Sequence, residues 1–121
     1  MITVVQVTGG RKYALEGKGV RERQHVYATM SAIRDHYGHI VVVVGGAPGL
    51  DKCVETWAGD MGVHCAVVRA LWNKLGNSAG PMRNTAMLAL TPHVCVAFPG
   101  GTGTADMKRQ ARAAGVPVYE V

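Results

Sequence analysis

The sequence has 121 residues, of which 16 are glycine and 48% are hydrophobic, and its 13 Lys and Arg against 8 Asp and Glu give a formal charge of +5. This length predicts a single domain over residues 1–121, large enough to fold without disulfides. The composition excludes a disordered chain, collagen and a coiled coil, and no apolar run reaches the roughly 18–20 residues that cross a membrane. No basic segment precedes the N-terminal apolar stretch, so we expect no signal peptide and a soluble, cytoplasmic protein.

Strand-like and helix-like segments alternate along the whole chain. Short runs of β-branched residues predict strands, and longer segments with apolar residues at helical spacing predict helices. This alternation is typical of parallel crossovers, so it predicts an α/β fold: a three-layer Rossmann-like sandwich with a parallel sheet of about five strands. The predicted strands are 2–7, 40–44, 63–68, 94–98 and 116–121, and the predicted helices are 20–37, 49–61, 81–90 and 104–114.

Apolar spacing also predicts which helix faces are buried. Trp57 falls on the apolar stripe of the second predicted helix, so we expect it in the core. In the third predicted helix, Met82, Ala86 and Leu90 recur on one face, which predicts that this face packs on the sheet.

The cysteines and histidines show no pattern typical of a metal or redox site. The three cysteines contain no CxxC pair and the five histidines show no ligand spacing, so we predict no metal and no cofactor. Cys65 and Cys95 lie in apolar segments and are expected to pack as small buried residues.

Basic residues are concentrated in the first third of the chain. Such a cluster attracts the phosphates of a nucleotide, a nucleic acid or a membrane surface, or it forms an ordinary solvated helix face. These residues are Arg11, Lys12, Lys18, Arg21, Arg23 and Arg34.

Glycines are concentrated directly after three of the predicted strands. In open parallel sheets, ligands bind beyond the carboxyl ends of the strands, near the point where the strand order reverses. Glycine lets backbone N–H groups approach an anion closely, and a helix N-terminus favours negative charge. We therefore predict a phosphate-binding site formed by Gly9, Gly10, Arg11, Gly45, Gly46, Ala47, Gly49, Asp51, Pro99, Gly100, Gly101, Thr102, Gly103 and Thr104.

The same loops leave alternatives open for two side chains. Thr104 is expected either to donate to a phosphate or to cap its helix. Asp51 either accepts ribose hydroxyls, acts as a general base, or is simply an acid favoured by the helix dipole. The loops match neither the Walker A motif nor GxGxxG followed by an acidic residue, which argues against a P-loop NTPase and an NAD dehydrogenase.

A fourth segment, LGNSAGPMRNTAML at 75–88, is predicted as a glycine-rich loop that enters a helix, with Arg83 and Asn84 in the first turn. A cation there opposes the helix dipole, whereas a guanidinium suits bidentate contact with a phosphate or carboxylate. Arg83 is therefore either a ligand-binding residue or an exposed helix arginine. We add Gly80, Arg83 and Asn84 to the predicted site, together with Trp72, which lies in a predicted loop and is suited to stack on a base.

The segment PGGTGT at 99–104 with the upstream Arg83 resembles the lonely-guy and lysine-decarboxylase-like proteins of the SLOG superfamily. Four segments in order are similar to a small branch of that superfamily found in bacteria and their phages. The resemblance implies a nucleotide-binding site, a homodimer or larger assembly, and the cytoplasm of a bacterial or phage-infected cell. The four segments are GGR at 9–11, GGAPGLD at 45–51, AGPMRNTAM at 79–87 and FPGGTGTADM at 98–107.

Lonely-guy enzymes hydrolyse the N-glycosidic bond of nucleoside monophosphates with a glutamate that follows the PGGxGT loop. Met107 occupies that position in this sequence, and Asn84 follows Arg83 where lysine is usual. Asp106 is expected to point about 100° away around the helix. These departures favour binding over lonely-guy hydrolysis.

The main hypothesis is therefore that the protein binds a nucleotide or a nucleotide-derived small molecule, such as an ADP-ribose-like or cyclic nucleotide signal, and senses or sequesters it. One alternative is a phosphoribohydrolase or related N-glycosidase, with Arg83, Asp51 and Asp106 as the catalytic candidates. A second alternative is single-strand nucleic-acid binding through the basic first third, although the chain has only seven aromatic residues to stack on bases.

Overall fold

A parallel sheet of five strands runs through the centre of the protein. The computed structural model describes residues 1–121. The strands are β1 (Thr3–Thr8), β2 (Ile40–Val44), β3 (His64–Val67), β4 (Val94–Ala97) and β5 (Val118–Glu120). The helices are α1 (Val20–Tyr37), α2 (Leu50–Met61), α3 (Trp72–Leu75), α4 (Ala79–Leu88) and α5 (Thr102–Ala113), with one 3₁₀ turn at Gly76–Ser78.

The strand order is β3-β2-β1-β4-β5, and every neighbouring pair is parallel. The chain winds outward from β1 in one direction through β3, then returns to place β4 on the other side of β1. The order therefore reverses between β1 and β4, which is where ligands bind in this class of sheet. The α/β Rossmann-like fold predicted from the alternating periodicity is confirmed.

Helices cover both faces of the sheet and bury two apolar clusters. On one face, α1 and α2 pack on the sheet through Val26, Met30 and the fully buried Trp57. The strand side chains that they contact are the odd-numbered ones of β1 and the even-numbered ones of β2 and β4. On the other face, α4 and α5 pack through Met87 and Met107 against the sheet. The predicted burial of Trp57 is confirmed, and its indole N–H donates to a serine hydroxyl on α1 at 3.1 Å. No helix combines the length and apolar character needed to cross a membrane.

The buried face of α4 differs from the predicted one. Met82 and Leu90 are 52% and 43% exposed, and Ala86 is exposed as well. The face that packs on α5 and the sheet instead contains Asn84 and Met87. Apolar periodicity selected the wrong face because the buried one includes a polar side chain that makes hydrogen bonds.

Two helix starts also differ from the predictions. Because α4 begins at Ala79, Arg83 lies in its second turn rather than its first. Because α5 begins at Thr102, Thr104 lies within the first turn and does not cap the helix; the N-cap residue is Gly101. Trp72, predicted in a loop, begins the short helix α3.

Gly49 shows why one of the strand-end glycines is required by the fold. Its φ of +76° is unfavourable for other residues, and an added Cβ would lie 2.5 Å from the carbonyl oxygen of Arg11. The loop after β1 therefore packs directly on the start of α2. Gly59, in the exposed last turns of α2, has open space around the same position.

We predict that Gly49→Ala lowers the free energy of unfolding by about 1–3 kcal/mol, because it adds backbone strain and a clash with backbone atoms. The matched control Gly59→Ala is expected to raise it by about 0.5–1 kcal/mol, since alanine has the higher helix propensity. Urea denaturation of both variants measures the difference. Equal midpoints would contradict the packing described here.

Candidate functional site

A cleft of about 1050 Å³ lies at the carboxyl ends of the strands, at the point where the strand order reverses. All of the residues predicted for the phosphate site line it except Gly46 and Gly49, and Asp106 lines it as well. Only 5 of the 25 lining residues are hydrophobic. The cleft is therefore lined mainly by glycines and polar residues, whose exposed backbone is suited to a charged ligand.

Gly46 and Gly49 lie beneath the surface of the cleft and support the loops that form it. Gly46 has a φ of +74° and lies against the side chains of Val67 and Arg69, while its carbonyl accepts from Arg69 at 3.4 Å. Gly49 packs against the backbone of Arg11. Both glycines therefore shape the loops without facing the cleft.

The three strand-end loops are joined by backbone hydrogen bonds. The N–H of Gly10 donates to the carbonyl of Pro99 at 2.9 Å, and the carbonyl of Gly10 accepts from the N–H of Leu50 at 3.1 Å. Because these bonds need no side chains, they hold the loops after β1, β2 and β4 at fixed positions while leaving their outer surfaces open.

The N-terminus of α5 opens into the cleft without a side-chain cap. The first backbone hydrogen bond at this end is the one from Ala105 to the carbonyl of Gly101, at 3.0 Å. The N–H groups of Thr102, Gly103 and Thr104 therefore have no protein acceptor. Free N–H groups at the positive end of a helix dipole form a favourable anion site.

Arg83 and Asn84 connect the β2 loop to α5. The Arg83 guanidinium donates to the carbonyl of Gly45 at 2.7 Å and to the side-chain oxygen of Asn84 at 3.0 Å. The Asn84 amide, which is buried, donates to the carbonyl of Gly103 at 3.2 Å and to Asp106 at 3.0 Å. Burial lowers the pKa of Arg83 below its ordinary value, but an arginine stays charged at neutral pH. Arg83 is thus a half-buried cation in the cleft wall rather than an exposed helix arginine.

Asp106 lines the cleft but is fully engaged in hydrogen bonds. Its carboxylate accepts from Asn84 at 3.0 Å, from Gln110 at 2.8 Å and from Arg109 at 2.6 Å. Partial burial acts to raise the pKa of Asp106, but the bonds from Asn84, Arg109 and Gln110 outweigh it and hold that pKa below its usual value. Asp106 is therefore ionised at neutral pH and poorly suited to donate a proton.

Asp51 has the opposite character. It is 6% exposed, and burial raises its pKa to about 6. The amides of Ala47 and Gly45 and the charge of Arg83 act in the other direction, with the bond from Ala47 measuring 3.1 Å. A carboxyl with this pKa can accept or donate a proton near neutral pH, which is the property a general acid or base requires.

Met107, at the position of the lonely-guy glutamate, is fully buried between α5 and the sheet. A side chain at this position therefore points away from the cleft. Asp106, one residue earlier, is the one that reaches it. The expected difference of about 100° between the directions of Asp106 and Met107 places Asp106, and not Met107, on the side of the cleft.

Eight further residues line the cleft and were not among the predicted ones. Some of them lie in parts of the sequence already singled out: Lys12 belongs to the basic cluster, and three others lie in the segment LGNSAGPMRNTAML at 75–88. Tyr13 and Glu22 come from the β1–α1 loop and from α1, and no motif marks them. The full set is Val7, Thr8, Lys12, Tyr13, Glu22, Asn77, Pro81 and Met87.

The basic cluster of the first third is spread over several surfaces. Arg11 and Lys12 line the cleft. Arg23 instead donates to the carbonyl of Ala14 at 3.2 Å, and Arg34 lies 3.5 Å from Asp35. Only the first two are therefore placed to act on a ligand in the cleft.

Among the cysteines, Cys95 is fully buried as predicted, while Cys65 is only partly buried. No three His, Cys, Asp or Glu side chains gather at one point.

The raised pKa of Asp51 makes the stability of the protein depend on pH. Its folded-state pKa of about 6 lies above the ordinary 3.8, so this group favours folding most below about pH 4. This contribution to the free energy of unfolding is lost as the pH rises to about 6. A difference of about 2 units between the folded and ordinary pKa corresponds to about 3 kcal/mol. We predict that Asp51→Asn removes this decrease and is more stable than the wild type at pH 7. Urea denaturation from pH 4 to 8 tests this, and parallel curves for the two proteins would contradict it.

Three similarities to known proteins bear on the family and the fold of this chain. Residues 3–75 match a family described as YAcAr, the YspA, cpYpsA-related SLOG family. The Gene 61 protein of Mycobacterium phage D29 is 41% identical over 92 residues, which cover 70% of this chain and 73% of that protein. The X-ray structure of TM1055, a structural genomics target, has a similar fold with a TM-score of 0.74 and 22% identity, covering 96% of this chain and 72% of that one. The chain therefore belongs to the YspA, cpYpsA-related SLOG family.

Proposed function

We propose that the protein binds a nucleotide or a nucleotide-derived small molecule, such as an ADP-ribose-like or cyclic nucleotide signal, and senses or sequesters it. The observation that carries this proposal is the uncapped N-terminus of α5, whose free N–H groups at Thr102–Thr104 open into the cleft. A phosphate placed there accepts these N–H groups and meets the positive end of the helix dipole. Membership of a SLOG family supports the same class of ligand.

Gly103 is consistent with this role, because it lines the cleft and nothing in the fold requires glycine there; Gly59 in α2 has the same open space but lies outside the cleft. An added Cβ meets no atom within 4 Å, and the residue has an ordinary helical backbone. Glycine in a helix costs about 0.8–1 kcal/mol relative to alanine. A Cβ in a helix tilts toward the N-terminus, which at this residue is the direction of the cleft. Close approach of a ligand to the backbone explains why the side chain is absent.

Cations and hydrogen-bonding groups around this helix end complete the proposed site. Arg83 and Arg11 add positive charge to the cleft, and Arg83 is held in place by its bond to Gly45. We assign the ribose to the β2 loop, where the Asp51 carboxylate can accept hydrogen bonds from the ribose hydroxyl groups. Neither role involves a metal or a cofactor.

Two further expectations follow from the SLOG resemblance. The protein is proposed to form a homodimer or larger assembly, and to act in the cytoplasm of a bacterial or phage-infected cell. The phage relative supports the second.

The experiment that tests the proposal is isothermal titration calorimetry with AMP, ADP-ribose and inorganic phosphate. It compares the affinities of the wild type and of Gly103→Ala for each ligand. We predict that Gly103→Ala raises the free energy of unfolding by about 0.5–1 kcal/mol and weakens AMP binding at least about tenfold, because the methyl group occupies the space of the phosphate.

Gly59→Ala is the matched control, since it adds the same methyl group to an exposed position of α2 that does not line the cleft. It is expected to gain stability without losing affinity. If Gly103→Ala binds AMP as well as the wild type does, α5 is not the phosphate site. If the wild type binds none of the three ligands, the proposed function is wrong.

The second candidate function is hydrolysis of an N-glycosidic bond, favoured by the pKa of about 6 that burial gives Asp51 in the cleft. In this reaction water adds to C1′ of a nucleoside monophosphate, the glycosidic bond breaks, and free base and ribose 5-phosphate are released. Asp51 would take a proton from the water as the hydroxide bonds to C1′, and would pass that proton to the ring nitrogen of the departing base, with Arg83 nearby. Asp106 is less suitable because the hydrogen bonds to its carboxylate hold its pKa low, which makes it a weak base, and occupy its oxygens.

Chromatography of nucleoside monophosphates incubated with the protein separates the two candidates. The binding function predicts intact nucleotides. Release of free base by the wild type, lost in Asp51→Asn, would establish hydrolysis instead.

A further inference from the structure

Trp72 lines the cleft and has much of its surface uncovered. It is 46% exposed, and it begins the four-residue helix α3. The fully buried Trp57 fills the core, so the indole of Trp72 is not needed for that purpose. A large aromatic side chain exposed in the wall of a polar cleft is suited to contact a ligand.

The α4 backbone fixes the position of this indole. The tip of its six-membered ring, Cη2, lies 3.2 Å from the point where a Cβ of Gly80 would stand. The absence of a side chain at Gly80 therefore lets the indole approach α4 directly. Gly80 itself is buried and lines the cleft.

The guanidinium of Arg11 lies over the ring of Trp72, with 5.9 Å between its central carbon and the ring centroid. This distance is near the limit of about 6 Å for a cation–π contact, so the contact is loose. Both side chains are exposed and both line the cleft. A flat aromatic ring stacks on tryptophan more strongly than an exposed cation does, and a guanidinium also stacks on aromatic faces.

The cleft is large enough for a ligand that reaches from α5 to Trp72. Its volume of about 1050 Å³ is at the upper end of the usual range for small-molecule sites. Arg11 follows Gly10, whose N–H donates to the carbonyl of Pro99 in the loop between β4 and α5. The Arg11–Trp72 pair therefore belongs to the same cleft as the free N–H groups of α5.

We infer that Trp72 and Arg11 form a base-binding subsite, in which an aromatic base displaces the guanidinium from the indole, stacks on Trp72 and is covered by Arg11. The ligand class is then nucleoside phosphates, and sugar phosphates that have no base, such as ribose 5-phosphate, bind more weakly. This inference rests on the proposed function, since the phosphate of the same ligand is held at α5. Every base can stack on tryptophan, so the subsite selects for the presence of a base and does not distinguish one base from another.

The test compares the four nucleoside 5′-monophosphates with ribose 5-phosphate, using titration calorimetry and tryptophan fluorescence. The chain has two tryptophans, and only Trp72 is accessible to a ligand. We predict that nucleotides bind more tightly than ribose 5-phosphate and quench the fluorescence, whereas ribose 5-phosphate does not. Trp72→Ala is expected to weaken nucleotide binding about 5- to 150-fold and to leave ribose 5-phosphate binding within about twofold.

Trp72→Phe separates stacking from other effects of the substitution, because phenylalanine keeps an aromatic face. It is expected to retain most of the nucleotide affinity that Trp72→Ala loses. Equal affinity of the wild type for nucleotides and ribose 5-phosphate, or equal losses for both in Trp72→Ala, would overturn the base subsite while leaving the phosphate site intact. If the wild type binds neither kind of ligand, both proposals are wrong.

Discussion

The backbone of Gly10 holds the functional end of this molecule together. Its N–H donates to Pro99, and its carbonyl accepts from Leu50 at 3.1 Å and from Tyr13 at 3.2 Å. These bonds connect the loops after β1, β2 and β4, and the start of α2 approaches closely because Gly49 has no side chain. The bonds from Arg83 to Gly45 and from Asn84 to Gly103 reinforce this junction, so both backbone and side chains fix the relative positions of the loops.

Much of the fold could be predicted from the sequence, because its elements follow from local rules. The run IVVVV at 40–44 is buried between two helical layers, as unbroken β-branched runs are in parallel sheets. Alternating strands and helices then determine parallel crossovers. The face of α4 could not be predicted in the same way. Its buried side contains Asn84, whose burial is compensated by bonds to α5 that only the tertiary structure supplies.

The location of the candidate site could also be predicted, but not the roles of its residues. Glycine after a strand indicates close approach of a backbone, and the sequence does not say what approaches. At Gly49 it is another loop of the same chain, whereas around Gly103 there is open space. The contrast between Asp51 and Asp106 is likewise tertiary: one is buried with few partners, and the other is surrounded by donors.

At the uncapped end of α5, the proposed ligand binding would be coupled to folding. Where a serine, threonine, asparagine or aspartate side chain caps a helix, its removal costs about 0.5–2 kcal/mol of stability. Like α1 and α2, this helix has glycine at the N-cap and no side-chain acceptor, and its end opens into the cleft. An anion in the cleft would supply the missing acceptor, so the hydrogen bonds at the start of α5 would be complete only while the ligand is bound. The protein would then be most stable when loaded, and its melting temperature would report the concentration of the ligand around it.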